Sequence, residues 1–218
     1  MATPIGHLAD ITLRAIDTLK TVSLVACEDT RRTNILLHHL NIQKPLMRYD
    51  EHTHEQGCRR IIDVLGMGQS VALVTDAGTP TISDPGRRLV EEVIKKGQNV
   101  VPIPGPSALL AGLCASGLSG EGFIFLGFLP RKAGPAGRLL REALGLGKNV
   151  VIFESPFRVH ATLSVIAGIG PDLHVVVARE LTKIHEEFIR GSARDVTGRM
   201  DGKVVKGEVV IMIAPASE

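Results

Sequence analysis

Aromatic residues make up only 3% of the 218-residue chain. That argues against a platform on which the bases of single-stranded nucleic acid stack, and it leaves recognition through phosphates open. Cysteine is sparse as well. Cys27, Cys58 and Cys114 are odd in number, widely spaced and outside any CxxC pair, which favours reduced thiols in a cytosolic setting over a disulfide framework. No apolar run approaches the ~20 residues that cross a bilayer. The opening MATPIGHLAD has no basic segment followed by an apolar stretch and a small-residue cleavage site, so a soluble, cytoplasmic protein with no membrane partner is expected. Charge of one sign is not in excess either, and the formal net charge of +2 says almost nothing about partners. What remains is ordinary for a globular protein, 44% hydrophobic and 22% charged, in a length that suits one large domain or two small ones.

The most informative stretch is residues 73–86, LVTDAGTPTISDPG. Val71, Leu73 and Val74 read as a buried strand, and Gly78, Pro80, Pro85 and Gly86 then fix or free backbone dihedrals that ordinary residues do not readily supply. Most connections at the end of an α/β strand run roughly 2 to 6 residues, and ligands in open α/β sheets sit outside the carboxyl ends of strands. Helix capping accounts for the end of the loop, with Ser83 or Asp84 as N-cap and Pro85 as the first helical residue. It leaves residues 76–82 to a ligand.

In chain order, Pro4 and Gly6 make a turn with almost no strand before it, and Asp10 or Thr12 caps a helix running to about Lys20. SLVAC (23–27) is a short buried strand that ends in Glu28, Asp29, Thr30, Arg31 and Arg32. A glycine turn followed by an acid about 20 residues later dilutes the dinucleotide-binding pattern; two of its three glycines are missing, so close approach to a pyrophosphate is not provided for. His52, His54 and Cys58 fit no common structural zinc spacing and read as a polar loop leading into a helix over 55–65, so no metal is expected. A strand over 99–103 ends in PGPSALLAGLCASGL. In the helix that Ser107 starts there, Ala108, Ala111, Gly112 and Ala115 keep one side small, which serves tight packing or ligand contact equally.

SGLSGEG (116–122) is the best linker. It separates residues 1–116, which alternate strand and helix as a parallel sheet does, from residues 122–218, which mix orientations. In the second half the pattern predicts strands over 123–128, 149–153, 174–178, 186–191 and 206–214, and helices over 138–144, 157–167 and 193–200. Glu28 to Arg32, Asp76 to Thr79, Glu154 and Ser155, and Arg179 to Lys183 all follow directly on apolar strands. Two α/β domains with a small polar ligand between them are the expectation from the residues alone.

The segments TPIGHLADITLRA, CEDTRRT, DAGTPTISDPG, PIPGPSALLAGLCASGL, LGFLPRK, FESPFR, ARELTKIHEEFIRG and KGEVVIMI, in that order, closely resemble the ribosomal RNA small subunit methyltransferase I family, within the tetrapyrrole methylases. The resemblance implies an S-adenosylmethionine-dependent 2'-O-methyltransferase acting on a cytidine ribose of small-subunit (16S) ribosomal RNA. It implies a homodimer and a tetrapyrrole-methylase-like α/β fold with the cofactor in the cleft between the two domains. Carried over residue by residue, cofactor contacts fall on Thr3, Pro4, Ile5 and Gly6, on Asp76, Gly78, Thr79 and Ile82, on Ser107 and Ala108, and on Phe153, Glu154, Ala178 and Glu208. The family usually shows Asn where this chain has His7, and His where it has Phe157.

A ribose hydroxyl is a poor acid, so some group must accept its proton as the bond to carbon forms. Glu28, Asp29, Glu154 and Glu180 are the candidate bases, with Lys183 beside Glu180 either in the chemistry or in an ion pair that braces the strand end. Arg31, Arg131, Lys132 and Arg179 are candidates for holding substrate phosphates. Ile35, Leu36, Leu37 and Leu40, with Leu109, Leu110 and Leu113, are more apolar surface than one sheet face hides, which suits a two-fold dimer. A tetrapyrrole C-methyltransferase and a non-catalytic cofactor- or RNA-binding module are the alternative functions. The EDTR and ARELTK segments oppose the first, and a methyl-transfer assay separates the second.

Overall fold

The computed structural model describes residues 1–50, 53–119 and 122–215, in two compact units, Met1–Ser107 and Ala108–Glu218. After one turn of 3-10 helix at Leu8–Asp10, the first unit runs α1 (Leu13–Thr21), β1 (Leu24–Cys27), α2 (Thr30–His39), β2 (Leu46–Arg48), α3 (His54–Gly66), β3 (Val71–Leu73) and α4 (Arg87–Lys95). Its three strands are parallel in the order β2-β1-β3, a geometry that needs a crossover between neighbours.

β1 is apolar at every position because both of its faces are covered. Successive side chains of a strand point to opposite faces. Val25 and Cys27 pack with Leu19 of α1 and Leu37 of α2, while Leu24 and Ala26 pack with Met47, with Ile61 of α3 and with Leu89 and Val93 of α4. Each such leucine or valine, fully buried, contributes roughly 1.5–3 kcal/mol. Thr12 Oγ1 caps α1 by accepting from Ala15 N at 3.2 Å.

α4 starts differently from expectation. Neither Ser83 nor Asp84 is its cap: Gly86 holds that position at φ +123° and the first helical residue is Arg87. A Cβ on Gly86 would stand 2.7 Å from Leu73 Cδ2, so the turn into α4 needs both the positive φ and the missing side chain. The strand expected over 99–103 is also not formed. Among the described residues this segment makes one main-chain bond, Ala2 N to Ile103 O at 3.1 Å, and Val101 is 69% exposed; a β-branched run without a ladder partner stays irregular.

The second unit runs α5 (Ala108–Ser116), β4 (Phe123–Phe128), α6 (Ala133–Leu144), β5 (Asn149–Glu154), α7 (Val159–Ile169), β6 (His174–Arg179), β7 (Glu187–Ser192), α8 (Ala193–Met200) and β8 (Val209–Ile213). Its sheet has the order β4-β5-β8-β6-β7. β4 and β5 are parallel, and the other pairs are antiparallel, the mixture expected. Val150, Ile152, Val175, Val177, Ile211 and Ile213 form the core with Leu140 of α6, Leu163 of α7 and Val196 of α8.

The boundary between units precedes α5, where the linker reading placed it after residue 116. α5 belongs with the second sheet: a Cβ on Gly112 would stand 3.4 Å from Met212 Cε and 3.5 Å from Val210 Cγ1, and Arg190 of β7 donates to Ala115 O and Ser116 O at 2.6 and 3.1 Å. Close helix-to-sheet packing therefore explains the small residue at Gly112. Gly120 and Glu121 of the linker lie outside the described residues. α6 begins five residues before its expected start at Arg138, with Pro135 in its first turn, where a missing N–H deprives the helix of nothing.

Candidate active site

Parallel pairing brings the carboxyl ends of β1 and β3 side by side, Ala26 opposite Leu73, and the residues that follow the two strands are hydrogen-bonded together. Asp29 N donates to Asp76 Oδ1 at 3.1 Å, and Arg32 Nε lies 3.6 Å from Asp76 Oδ2. Gly78 forms a two-way bridge with Thr3, N to O distances 2.9 and 3.0 Å, and Thr3 Oγ1 donates to Thr75 O at 3.1 Å. Thr79 Oγ1 donates to Pro106 O at 3.2 Å. The turn at 3–6, the loop after β3 and the segment at 106 thus converge. Thr3, Pro4 and Ile5 are buried while Gly6 is exposed; Asp76, Thr79, Ser107 and Ala108 are half-buried, and Ile82 is exposed further along the loop.

The loop is strained as well as long. Thr81 and Ser83 have φ of +71° and +63°, each a conformation that costs on the order of 1–3 kcal/mol and that clusters at ligand sites. Among the described residues the backbone N–H groups of Thr79, Thr81, Ile82 and Ser83 have no partner. The buried hydroxyl of Thr75 has none either.

The adjacent carboxylates differ in state. Asp29 caps α2, accepting at Oδ1 from Arg31 N at 2.8 Å and from Arg31 Nε at 3.2 Å, and at Oδ2 from Arg31 Nη2 at 2.8 Å. Those bonds to the Arg31 side chain and backbone hold its carboxyl at about 2. Glu28 is displaced upward, first by burial and then by the like charges of Asp76, Asp84 and Asp50, with Arg32 opposing. The sequence reading gives Asp84 a capping role only and does not single out Asp50. Asp50 could have been found, since it too follows a strand end.

In the second unit Glu154 closes β5 and is almost fully buried. Its Oε1 accepts from Ser155 N at 2.8 Å and lies 3.4 Å from Arg158 Nε, and its Oε2 accepts from Thr162 Oγ1 at 2.6 Å. Phe153 stacks edge-on with Phe125 and Phe128, at 4.9 and 5.9 Å between centroids. Ala178 is enclosed in the sheet between Phe188 and Val210.

After β6, Lys183 Nζ donates to Glu180 Oε1 at 2.8 Å and to Glu208 Oε2 at 3.0 Å, and Glu208 N donates back to Glu180 Oε1 at 3.0 Å. The Lys183 bond holds the Glu180 carboxyl below its ordinary range. Burial pulls the Lys183 ammonium down, and the bonds to Glu180 and Glu208 outweigh it, so the net shift is upward. Gly207, at φ +84°, leaves room for this carboxylate, since a Cβ there would fall 2.2 Å from Glu180 Cδ. Arg179 Nε donates to Glu187 Oε2 at 2.7 Å and its Nη1 to Lys206 O at 3.2 Å. Arg131 and Lys132 are exposed ahead of α6, and Arg31 is exposed but paired with Asp29. His54, read above as part of a polar loop, is the first residue of α3 and is buried with Nδ1 2.6 Å from the Tyr49 hydroxyl; His52 lies outside the described residues.

The family model of the tetrapyrrole (corrin/porphyrin) methylases matches residues 2–197. The ribosomal RNA small subunit methyltransferase I of Hydrogenobaculum sp. (strain Y04AAS1) is 45% identical over 215 residues, covering 97% of this chain and 93% of that one. The protein of the same name from Thermotoga maritima is 44% identical over 214 residues, covering 98% and 96%. Among solved structures, a diphthine synthase superposes with a TM-score of 0.72 at 15% identity, over 97% of this chain and 86% of that one. Uroporphyrin-III-C-methyltransferase from Thermus thermophilus gives 0.66 at 16% identity, over 98% and 92%. At such identity these structures speak for the fold alone. The near-full-length sequence likeness carries more, and the chain belongs to the tetrapyrrole methylases and, within them, to the ribosomal RNA small subunit methyltransferase I family.

Proposed function

We propose that this protein transfers the methyl group of S-adenosylmethionine to the 2'-oxygen of a cytidine ribose in small-subunit (16S) ribosomal RNA. The observation that carries the reading is the 44–45% identity, over nearly the whole of both chains, to proteins named ribosomal RNA small subunit methyltransferase I. The strand-end site suits the cofactor. Donor N–H groups over Thr79, Ile82 and Ser83 and the buried Thr75 hydroxyl offer hydrogen bonds to a carboxylate or a base edge, and the Asp76 carboxylate can accept from an ammonium or ribose hydroxyl. Thr3, Pro4, Ile5, Gly6, Gly78, Ser107 and Ala108 complete the proposed holding residues. Phe153, Glu154, Ala178 and Glu208 are proposed from the second unit on the family resemblance.

Bound S-adenosylmethionine supplies an electrophilic methyl group on a sulfonium. The protein's share is to align the hydroxyl with that methyl, to keep water out and to take the hydroxyl proton; orientation supplies much of the rate. Methyl transfer to oxygen consumes positive charge, so a site that excludes water favours it. Arg31, Arg131, Lys132 and Arg179 are proposed to hold substrate phosphates, Arg31 and Arg179 by exchanging the carboxylates they now hold. We also propose a cytoplasmic homodimer. Among the described residues no helix is long and apolar enough to cross a membrane, and Ile35 and Leu110 are 63% and 55% exposed, surface that a second copy would cover.

The test is methyl transfer from labelled S-adenosylmethionine to small subunits purified from cells lacking the enzyme. Label in a single 2'-O-methylcytidine of the 16S RNA is the expected result. Label absent from the RNA would remove the proposal, and label transferred instead to a porphyrinoid would establish the C-methyltransferase alternative.

A further inference from the structure

Glu28, Asp29, Glu154 and Glu180 are the four candidate bases for this reaction, and the structure separates them. Both oxygens of Asp29 are held by Arg31. Both oxygens of Glu154 are held too, by Ser155 N and by the Thr162 hydroxyl, with Arg158 alongside. Glu180 is bonded to Lys183 and to Glu208 N. Glu28 alone of the four has no hydrogen bond or ion pair among the described residues. It is half-buried, and it leaves β1 immediately before Asp29, whose N–H is bound to Asp76. Its carboxylate therefore stands beside the residues proposed to hold S-adenosylmethionine.

We infer that Glu28 is the catalytic base of the methyl transfer. As the ribose O2' lone pair forms the bond to the methyl carbon, the carbon–sulfur bond breaks with its electron pair going to sulfur. The O2' proton passes to the Glu28 carboxylate, and the resulting carboxylic acid later returns it to solvent. The negative carboxylate is consumed together with the positive sulfonium, so the site ends with no net change of charge. Asp29 and Glu154 already accept hydrogen bonds on both oxygens and Glu180 accepts two on Oε1, whereas neither oxygen of Glu28 is engaged among the described residues.

The surroundings suit the role. Asp76 and Asp84 from the loop after β3, Asp50 after β2 and Arg32 of α2 are the charged groups that act on Glu28. Three like charges against one cation, on top of burial, raise its basicity above that of an ordinary glutamate. A general base works best with its pKa near the working pH. Of the carboxylates around it, Asp76 is held by Asp29 N and Arg32 and Asp50 by Arg48 at 2.8 Å.

The inference rests on the methyltransferase reading, and the experiment keeps the two apart. Wild type, Glu28→Gln and Glu28→Asp are compared in single turnovers on small subunits lacking the modification. S-adenosylmethionine affinity by calorimetry and thermal melting are measured on the same samples. Glu28→Gln is expected to lose roughly 10²- to 10⁴-fold in rate with affinity and melting preserved. Glu28→Asp should retain part of the rate. The wild-type rate should rise with pH through the Glu28 ionisation, and Glu28→Gln should lack that limb. Glu28→Gln within about 3-fold of wild type, or keeping the acid limb, overturns the assignment and leaves the function standing; equal loss of cofactor affinity recasts Glu28 as a binding residue and overturns it too. A wild type that binds the cofactor but methylates no subunit overturns the function and Glu28's role together.

Discussion

Asp29 and Glu28 are chain neighbours with the same functional group and opposite electrostatics. Asp29 sits at about 2 where the ordinary value is 3.8, because Arg31 bonds its ionised form from side chain and backbone. A depressed carboxyl contributes stability that is complete above the unfolded value and is lost as pH falls through the folded one, so this contribution belongs to the window between 3.8 and about 2. Glu28 has the reverse sign. Its folded form holds the proton more tightly than the unfolded chain does, so its ionisation subtracts stability as pH rises through its displaced range. Carbon-13 titration of the side-chain carboxyls should give Asp29 a midpoint near 2. Arg31→Gln should return it most of the way to the ordinary range while Glu28 stays displaced; an unmoved Asp29 would show that Arg31 is not the cause. The Asp29 half of this contrast is local to EDTRR, where Arg31 stands two residues on, whereas the Glu28 half was not legible there, since it depends on Asp50 after β2 and on Asp76 and Asp84 of the loop after β3.

At the scale of elements, the loop between β3 and α4 does two jobs. It carries the strained residues Thr81 and Ser83, and it turns the chain into α4 through Gly86. Gly86→Ala is expected to destabilise the protein by about 1–3 kcal/mol, from the positive φ alone, with Leu73 displaced as well because the new Cβ would crowd its Cδ2. Urea unfolding at fixed pH measures this, and a variant as stable as wild type would show that the turn relaxes without strain. β1, β5, β6 and α8 were readable from pattern because their apolar runs and flanking turns are local. The segment over 99–103 was not, for it has strand composition, and strand formation depends on a partner distant in sequence. The capping rule failed at α4 for a related reason. Ser83 is a good cap by type, but its own φ of +63° takes it out of the extended conformation a cap adopts.

For the molecule as a whole, the open question is what covers its exposed apolar side chains. Leu36 and Leu37 are buried within the first unit, whereas Ile35 on the same helix and Leu110 on α5 are exposed. If the protein is the homodimer proposed, light scattering at low micromolar concentration gives twice the 23.4 kDa chain mass, and an obligate interface buries upwards of roughly 2,000 Å². A monomer mass would remove the dimer and leave the Glu28 assignment unaffected, because Asp76, Asp84, Asp50 and Arg32, on which that assignment draws, belong to the same chain as Glu28.

The sequence by itself determined the alternation of strand and helix in the first half, the mixed sheet of the second and the family, and it marked the loop at 73–86 as a candidate site. Each rests on local order in the chain: apolar periodicity, Gly and Pro at turns, and motifs read in succession. Tertiary structure alone decided that α5 packs with the second sheet, that residues 99–103 are not a strand, and which of the four candidate bases has no hydrogen bond or ion pair among the described residues. Those depend on hydrogen bonds and packing between residues far apart in the chain, such as Arg190 with Ala115 or Asp29 with Asp76, and the order of the letters does not say which distant groups a fold brings within 3 Å of each other.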